Sequence, residues 1–368
     1  MEKDPVIIIG AGPAGLAAAI ELGKKNVPVI VFDQWKEGQI NEQGQTKLCG
    51  GGLVRRAISK LGKLPKSCLP HTKVTTKMVT TTNFVFSQPP VITIDREELA
   101  KNLAEKAVSL GVKINYSTKI LKIDFQKKEI ETRKGNFKYS SLIGADGFFS
   151  IVRRELVSAG LLSRRTKYAE TVEYCIKPIA RDLTFDFDRR FGIGYAWIFP
   201  IPNKCVIGAG DSHETKRKNS LRQELLDWAS ENKLEVDRKT LRGWCIPYDY
   251  QGYSFPDNIF LAGDAAGLAG PVSGEGISPA IISGSEIAKK IIDPNYDMTE
   301  LNQLLRLRKK EYSLLQAGIA MPFIKSPIIR LVAFLLRNRI TVNRITFNLF
   351  KKTYSPSSKI SQKATLMQ

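Results

Sequence analysis

The chain has 368 residues, 43% hydrophobic and 25% charged, proportions that exclude collagen-like, disulfide-scaffold and fully disordered chains and suggest two domains or one carrying an insertion. Lysine and arginine outnumber acidic residues 56 to 36, a net charge of +20, which points to an anionic partner such as a membrane surface, a phosphate-bearing ligand, an acidic protein or nucleic acid. Five irregularly spaced cysteines without a CxxC pair argue for a reducing compartment, with neither a disulfide framework nor a zinc site.

Residues 5–33 read as one βαβ unit. The apolar run 6–9 is a buried strand, the turn Gly10-Ala11-Gly12-Pro13-Ala14-Gly15 opens a helix to Gly23, and 28–33 is the second strand. A glycine-rich polar stretch (36–52) leads to a predicted helix over 53–62. β-Branched residues dominate 73–94, with Pro89-Pro90 as a break. Asp95 is the expected cap of a helix to Ser109, Glu98 completing a capping box. Short strands crowd 112–143 with Gly135-Asn136 as a hairpin turn, and further strands at 168–210 and 237–247 surround a helix over 221–232. After a strand at 258–262 the remainder reads as helical, ending in a polar tail from Tyr354. No signal peptide is expected ahead of the first strand, and the apolar run 331–336 is far short of the ~20 residues of a spanning helix. The expected division is a nucleotide domain from 1–72, 94–165 and 255–295, a substrate domain from 73–93 and 166–254, and a helical basic region over 296–368.

The GxGxxG run lies between strand and helix, and Asp33 ends the following strand, the pattern of a dinucleotide site. Gly10 makes the tight turn, Gly12 admits a pyrophosphate to the helix N-terminus beside Ala14, and Gly15 lets the helix pack on the strand. A carboxylate at Asp33 suits a ribose hydroxyl and would repel a 2′-phosphate. Two later blocks resemble motifs of the FAD-dependent aromatic hydroxylases and their relatives: Gly144-Ala145-Asp146-Gly147 their DG motif, and Ala262-Gly263-Asp264-Ala265-Ala266-Gly267 its GD partner. The resemblance implies FAD as cofactor and an α/β fold with α+β insertions, in which a Rossmann-type FAD-binding domain is interleaved with a β-sheet substrate domain and followed by a helical C-terminus. It also implies cofactor contacts at Asp146 and Gly263, Asp264 on the ribityl chain, and Arg96 along the ribityl-phosphate region. The glycine-rich loop 270–277 runs into a helix, so backbone N–H groups at Gly274, Gly276 and Ile277 are expected to face the flavin ring and stabilise the charge that reduction places there.

Two further segments narrow the chemistry. Lys47-Leu48-Cys49-Gly50-Gly51-Gly52-Leu53 is a basic glycine-rich turn with a cysteine. In Tyr195-Ala196-Trp197-Ile198-Phe199-Pro200, strand alternation turns Tyr195, Trp197 and Phe199 to one face, which suits a long apolar ligand. Beside the FAD blocks, these segments resemble the geranylgeranyl reductase family, flavoenzymes that saturate double bonds of prenyl chains in archaeal lipids, chlorophyll side chains and isoprenoid alcohols or diphosphates. The resemblance covers 5–295. It implies a prenyl-lipid substrate held by Tyr195, Trp197 and Phe199, and Cys49 and Gly50 beside the flavin. Cys49, or a water near it, is then the candidate that positions or supplies a proton, with Tyr195 the second candidate. The same scaffold serves monooxygenases that use NAD(P)H and oxygen, which stands as the alternative. Gly208-Ala209-Gly210 and Gly192-Ile193-Gly194 lack a following helix, so no second nucleotide domain is expected, and the external reductant stays open between NADPH, a deazaflavin and an acidic ferredoxin.

From Tyr312 onward no acidic residue occurs, while Lys325, Arg330, Arg337, Arg339, Arg344, Lys351, Lys352, Lys359 and Lys363 are basic. Arg330, Arg337, Arg344 and Lys351 share a helical stripe opposite Ile329, Leu336, Ile340 and Phe347. The pattern suggests an interfacial element over 325–352 for an anionic membrane, hence a cytoplasmic protein peripheral on the inner face of the cell membrane. Docking of an acidic electron-donor protein is the rival use. Nucleic acid is not expected, because aliphatic rather than base-stacking residues interleave the charges.

Overall fold

The computed structural model describes residues 4–41, 47, 49–61, 67–77, 81–165 and 167–320. The basic stripe over 325–352 lies outside the described residues.

Two large sheets organise the chain. The first has six strands in the order Ser254–Phe255, Ile259–Leu261, Ser141–Gly144, Val6–Ile9, Val29–Phe32 and Lys113–Asn115, all parallel except the first pair. Its central strand is buried on both faces, with Val6, Ile7, Ile8 and Ile9 at most 5% exposed, as a parallel sheet flanked by helices requires. Helix Pro13–Gly23 packs so closely on helix Ile277–Ile292 that a Cβ at Gly284 would stand 2.0 Å from the Ala14 carbonyl.

The second sheet has seven strands in the order Arg242–Pro247, Tyr168–Ile176, Lys204–Ser212, Tyr195–Ile201, Leu183–Asp186, Lys73–Lys77 and Thr81–Val85. Helix Leu221–Glu231 covers one face, against Tyr174, Ile176, Ala196, Ile198 and Ile207, and its Trp228 indole donates to Asp186 Oδ2 at 2.9 Å. The opposite face turns to the six-stranded sheet's domain and carries the aromatic residues of the strand Tyr195–Ile201.

Several local expectations are corrected. Residues 53–62 open as the strand Gly52–Val54 before the helix Arg55–Leu61. Asp95 caps the helix Arg96–Val108 through Glu97 N at 3.0 Å, but the Glu98 carboxylate accepts from the Ser67 hydroxyl. The hairpin turn falls on Arg133-Lys134, since Gly135 already pairs with Thr132. Val91–Thr93 joins Gly52–Val54 and Leu69–His71 in a small separate sheet rather than the substrate sheet. Pro89 and Pro90 have no N–H to continue the neighbouring hairpin, which frees the chain to pair elsewhere. Among the described residues no helix is long and apolar enough to cross a membrane.

Candidate functional site

A cavity of about 640 Å³ opens where the C-terminal ends of the parallel strands, at Ile9, Phe32 and Ala145, meet Thr171, Glu173, Trp244 and Ile246 of the seven-stranded sheet. Crevices at strand C-termini are where open α/β sheets bind ligands. Its floor is the glycine turn. Gly10 has φ of +107° and a Cβ there would strike the Ala145 carbonyl at 2.4 Å, while a Cβ on Gly15 would stand 1.9 Å from Gly10 O. Strand, turn and helix therefore close as one unit only with glycine at both positions. No side chain caps the helix at Gly12, and Gly12, Pro13 and Ala14 all line the cavity, which leaves first-turn N–H groups to an anion.

The carboxylates around this floor are placed for sugar hydroxyls. Asp33 accepts from Ala11 N at 2.6 Å and Trp35 N at 2.7 Å, and lines the wall at the end of its strand. Asp146 accepts from Ile151 N at 2.7 Å through Oδ2. Its Oδ1, like Arg96 Nε, is buried without a partner among the described residues, although Arg96 Nη2 donates to Gln39 at 2.9 Å. An orphaned acceptor and an orphaned cationic donor on the walls of one cavity, above an uncapped helix, match the hydroxyls and phosphates of a dinucleotide. The residues fit FAD.

Burial pushes the Asp146 carboxyl up to about 6, against the opposing hydrogen bonds from Ser150 and Ile151. A ligand hydroxyl donating to Oδ1 favours the ionised form, so the cofactor binds best above that value. FAD affinity is expected to weaken up to ~10-fold per pH unit below it, whereas Asp146→Asn flattens the profile. Titration of FAD fluorescence quenching from pH 5 to 8 measures both.

At the far end of the cavity, Asp264 pairs with Lys47 Nζ at 3.3 Å, and Lys47 lies 4.7 Å over the Trp244 ring. Gly274, Gly276 and Ile277 line the wall at the uncapped start of helix Ile277–Ile292. Cys49 lines it from the other side, where burial pushes its thiol up. Gly15, Gly50 and Gly263 pack immediately behind the lining: Gly263 against Ala14 and Ala280, and Gly50 against Phe199, whose ring atom Cδ2 a Cβ would meet at 2.1 Å. The cysteine turn and the aromatic strand, distant in sequence, therefore meet face to face.

The three aromatic residues share the expected face but form a packed wall rather than an open slot. Trp197 meets both Tyr195 and Phe199, and Phe185 meets the same two, with ring centroids 5.3–6.4 Å apart, and none of the three lines the cavity itself. Trp197 is 8% exposed, its ring lying across Gly208. Tyr195 donates its hydroxyl to Ser273 O at 2.6 Å, and burial pushes its phenol further up. That hydrogen bond ties the aromatic strand to the glycine-rich loop.

Residues 3–173 match a family model described as an FAD binding domain. Over 309 residues the chain is 34% identical to an uncharacterized protein of Methanosarcina barkeri, covering 79% of this chain and 75% of that one. It is 24% identical to the digeranylgeranylglycerophospholipid reductase of Methanococcus vannielii, covering 85% and 84%. Among solved structures, a geranylgeranyl bacteriochlorophyll reductase-like protein of Thermoplasma acidophilum superposes with a TM-score of 0.75 at 18% identity, over 96% of this chain and 98% of that one. The chain belongs to one family with the Methanosarcina barkeri protein and resembles the geranylgeranyl reductases. It is an FAD-dependent oxidoreductase with an FAD-binding domain of the aromatic-hydroxylase type.

Within this family member, two supports of the flavin site carry no sequence signature. Asp249 is buried between two arginines, Arg153 at 3.0 Å and Arg165 at 2.6 Å, which donate onward to the Ala265 carbonyl, Arg165 also to Asp264 O. They clamp the GD turn from behind. Arg308, on helix Thr299–Ala320, reaches Glu311 at 2.8 Å, Glu275 at 3.1 Å and Leu268 O at 3.1 Å, tying the glycine-rich loop to the C-terminal helix. Arg308→Met is expected to loosen that loop, lowering FAD affinity ~10-fold or less while the fold persists, as flavin titration with circular dichroism would show; unchanged affinity would dismiss the tie.

Proposed function

We propose that the protein saturates isolated double bonds of prenyl chains, in geranylgeranyl groups of archaeal-type membrane lipids or related prenyl compounds. The observation that carries this reading is the cysteine turn seated under Phe199 with Cys49 on the cavity wall. It sets an un-ionised thiol against an aromatic, water-poor wall beside the glycine-rich helix start. When bound, reduced FAD supplies hydride, and the electrons come from an external reductant, with NADPH, a deazaflavin or an acidic ferredoxin as candidates. An isolated alkene is electron-rich, so the protein must deliver a proton as hydride arrives and must stabilise a cation-like transition state. Aromatic faces and the exclusion of water serve that state, and a buried thiol keeps its proton until it is needed.

The test is anaerobic turnover of a geranylgeranyl phospholipid with FAD-loaded, dithionite-reduced protein, followed by mass spectrometry. A gain of two hydrogens per bond supports the reading. An unchanged lipid, or oxygen addition only with NADPH and air, overturns it in favour of hydroxylation.

We also propose that the basic segment over 325–352 brings the protein to an anionic leaflet that holds this substrate. Each basic residue near such a surface contributes about 1 kcal/mol. Co-sedimentation with anionic vesicles is expected to exceed that with neutral ones and to fall with salt; equal binding to both, or none, rejects the anchor.

A further inference from the structure

Strand Tyr168–Ile176 places Val172, Tyr174 and Ile176 on the face covered by helix Leu221–Glu231, and Thr171 and Glu173 on the cavity wall. Glu173 is only 7% exposed. It sits across from Gly208 on one side and Arg242 on the other. A Cβ at Gly208 would meet the Trp197 indole at 2.4 Å and Glu173 Cγ at 2.9 Å, so indole and carboxyl stem share the space this glycine leaves. The glutamate is thereby turned onto the wall of the cavity that Cys49 also lines.

Each cation near it has another partner, with Arg96 Nε alone left unpartnered among the described residues. Lys47 pairs with Asp264 and Arg96 with Gln39. Arg242 spends its guanidinium on the carbonyls of Lys239 and Leu241. Among the described residues, Glu173 makes no ion pair within 4 Å. A carboxyl this buried and without an ion pair holds its proton to higher pH than a solvated one.

We propose that Glu173 is the proton reservoir of this site, a positioning residue that re-protonates the Cys49 thiol each time the thiol gives its proton to the substrate. The inference rests on the prenyl-reduction reading. In each turnover the π bond breaks, one carbon takes hydride from the reduced cofactor and the other takes the Cys49 proton. Glu173 then passes its proton to the thiolate and regains one from water. The two electrons come from the external reductant, dithionite in the test below.

Desolvation pushes the Glu173 carboxyl up to about 7, while Lys47 and Arg96 pull it down, and its negative form raises the Cys49 thiol. Because the proton-bearing form is the useful one, turnover is present below that value and is lost as pH rises through it. Two measurements decide the matter. The first is peptide-resolved alkylation of Cys49 by iodoacetamide from pH 6 to 9.5, on the chain without added FAD. The native profile should carry an inflection near neutrality that Glu173→Gln removes, with alkylation of the variant several-fold faster at high pH. The second is the pH profile of kcat for dithionite-driven prenyl reduction. Glu173→Gln should lower kcat ~100-fold at pH 6.5, the scale of lost general-acid assistance, and flatten the profile, whereas Glu173→Asp restores most of the rate.

A permanently ionised glutamate would give faster alkylation of the Gln variant at every pH without the inflection, and that result overturns the proposal. Native kcat in Glu173→Gln with normal FAD content overturns it as well. If the native protein leaves prenyl lipid untouched, the reductase reading falls, and the alkylation profile alone then decides whether Glu173 exchanges a proton beside Cys49.

Discussion

Asp249→Ala is expected to destabilise the fold by about 3–5 kcal/mol, the usual consequence of removing one partner from a buried charge cluster, and to release FAD. The Asp249 side chain is 4% exposed, and the two guanidiniums that converge on it are 4% and 10% exposed. Neither arginine can turn to water when the carboxylate goes. Desolvation already pulls Arg165 down to about 10, with Asp249 opposing it. Without that anion two buried cations would face each other, and their hold on the Ala265 carbonyl would slacken. Gly267, whose Cβ would strike Asp249 Oδ1 at 2.6 Å, closes the GD turn against the same carboxylate. Urea titration and flavin absorbance measure stability and occupancy together. Asp249→Asn, which keeps the shape and one acceptor, should lose less of both. An Asp249→Ala protein that unfolds at the native midpoint would show that the cluster is solvated and contributes nothing.

How far the sequence could be read follows from the range of each interaction. The floor of the FAD site is local: Gly10, Gly12 and Gly15 serve a strand, a turn and a helix within one short segment, so spacing alone announces them. The aromatic alternation of 195, 197 and 199 was equally legible, because a strand sends alternate residues to one face. What alternation cannot say is what covers that face. Phe185 on the neighbouring strand and Gly50 from a remote turn seal it into a wall, and both contacts are products of tertiary packing. Glu173 escaped for the same reason. In the run Thr171-Val172-Glu173-Tyr174 it resembles an outward polar residue of an amphipathic strand, and only the docking of the FAD-type domain makes that face an interior. Val91–Thr93 shows the other limit, since β-branched residues announce a strand without naming its partner.

The contact between Gly50 and Phe199 is open to a double-mutant cycle in which two harmful changes should compensate. Gly50→Ala places a methyl carbon where only 2.1 Å separates it from the ring. Phe199 is flanked by Phe185, edge-on at 5.3 Å, and by Trp197 at 6.4 Å, which restrict its retreat. Overpacking of this kind costs about 1–3 kcal/mol. It must also push the Cys49 turn off the cavity wall, and a displacement of about 1 Å at a reacting group can lower turnover ~100-fold. Phe199→Ala alone leaves a void behind the same turn and should cost about 2–4 kcal/mol, below a fully buried phenylalanine because this ring is only partly buried. In the double variant the new methyl occupies vacated space. The double variant should then lose about 1–2 kcal/mol less than the sum of the two single losses, and part of the prenyl-reducing activity should return. FAD occupancy should fall less than turnover, since Gly12, Asp33 and Asp146 are untouched. Four urea titrations and four turnover rates complete the cycle. Strict additivity, or a Gly50→Ala protein with native turnover, would mean that the turn carrying Cys49 is held by something other than the aromatic strand.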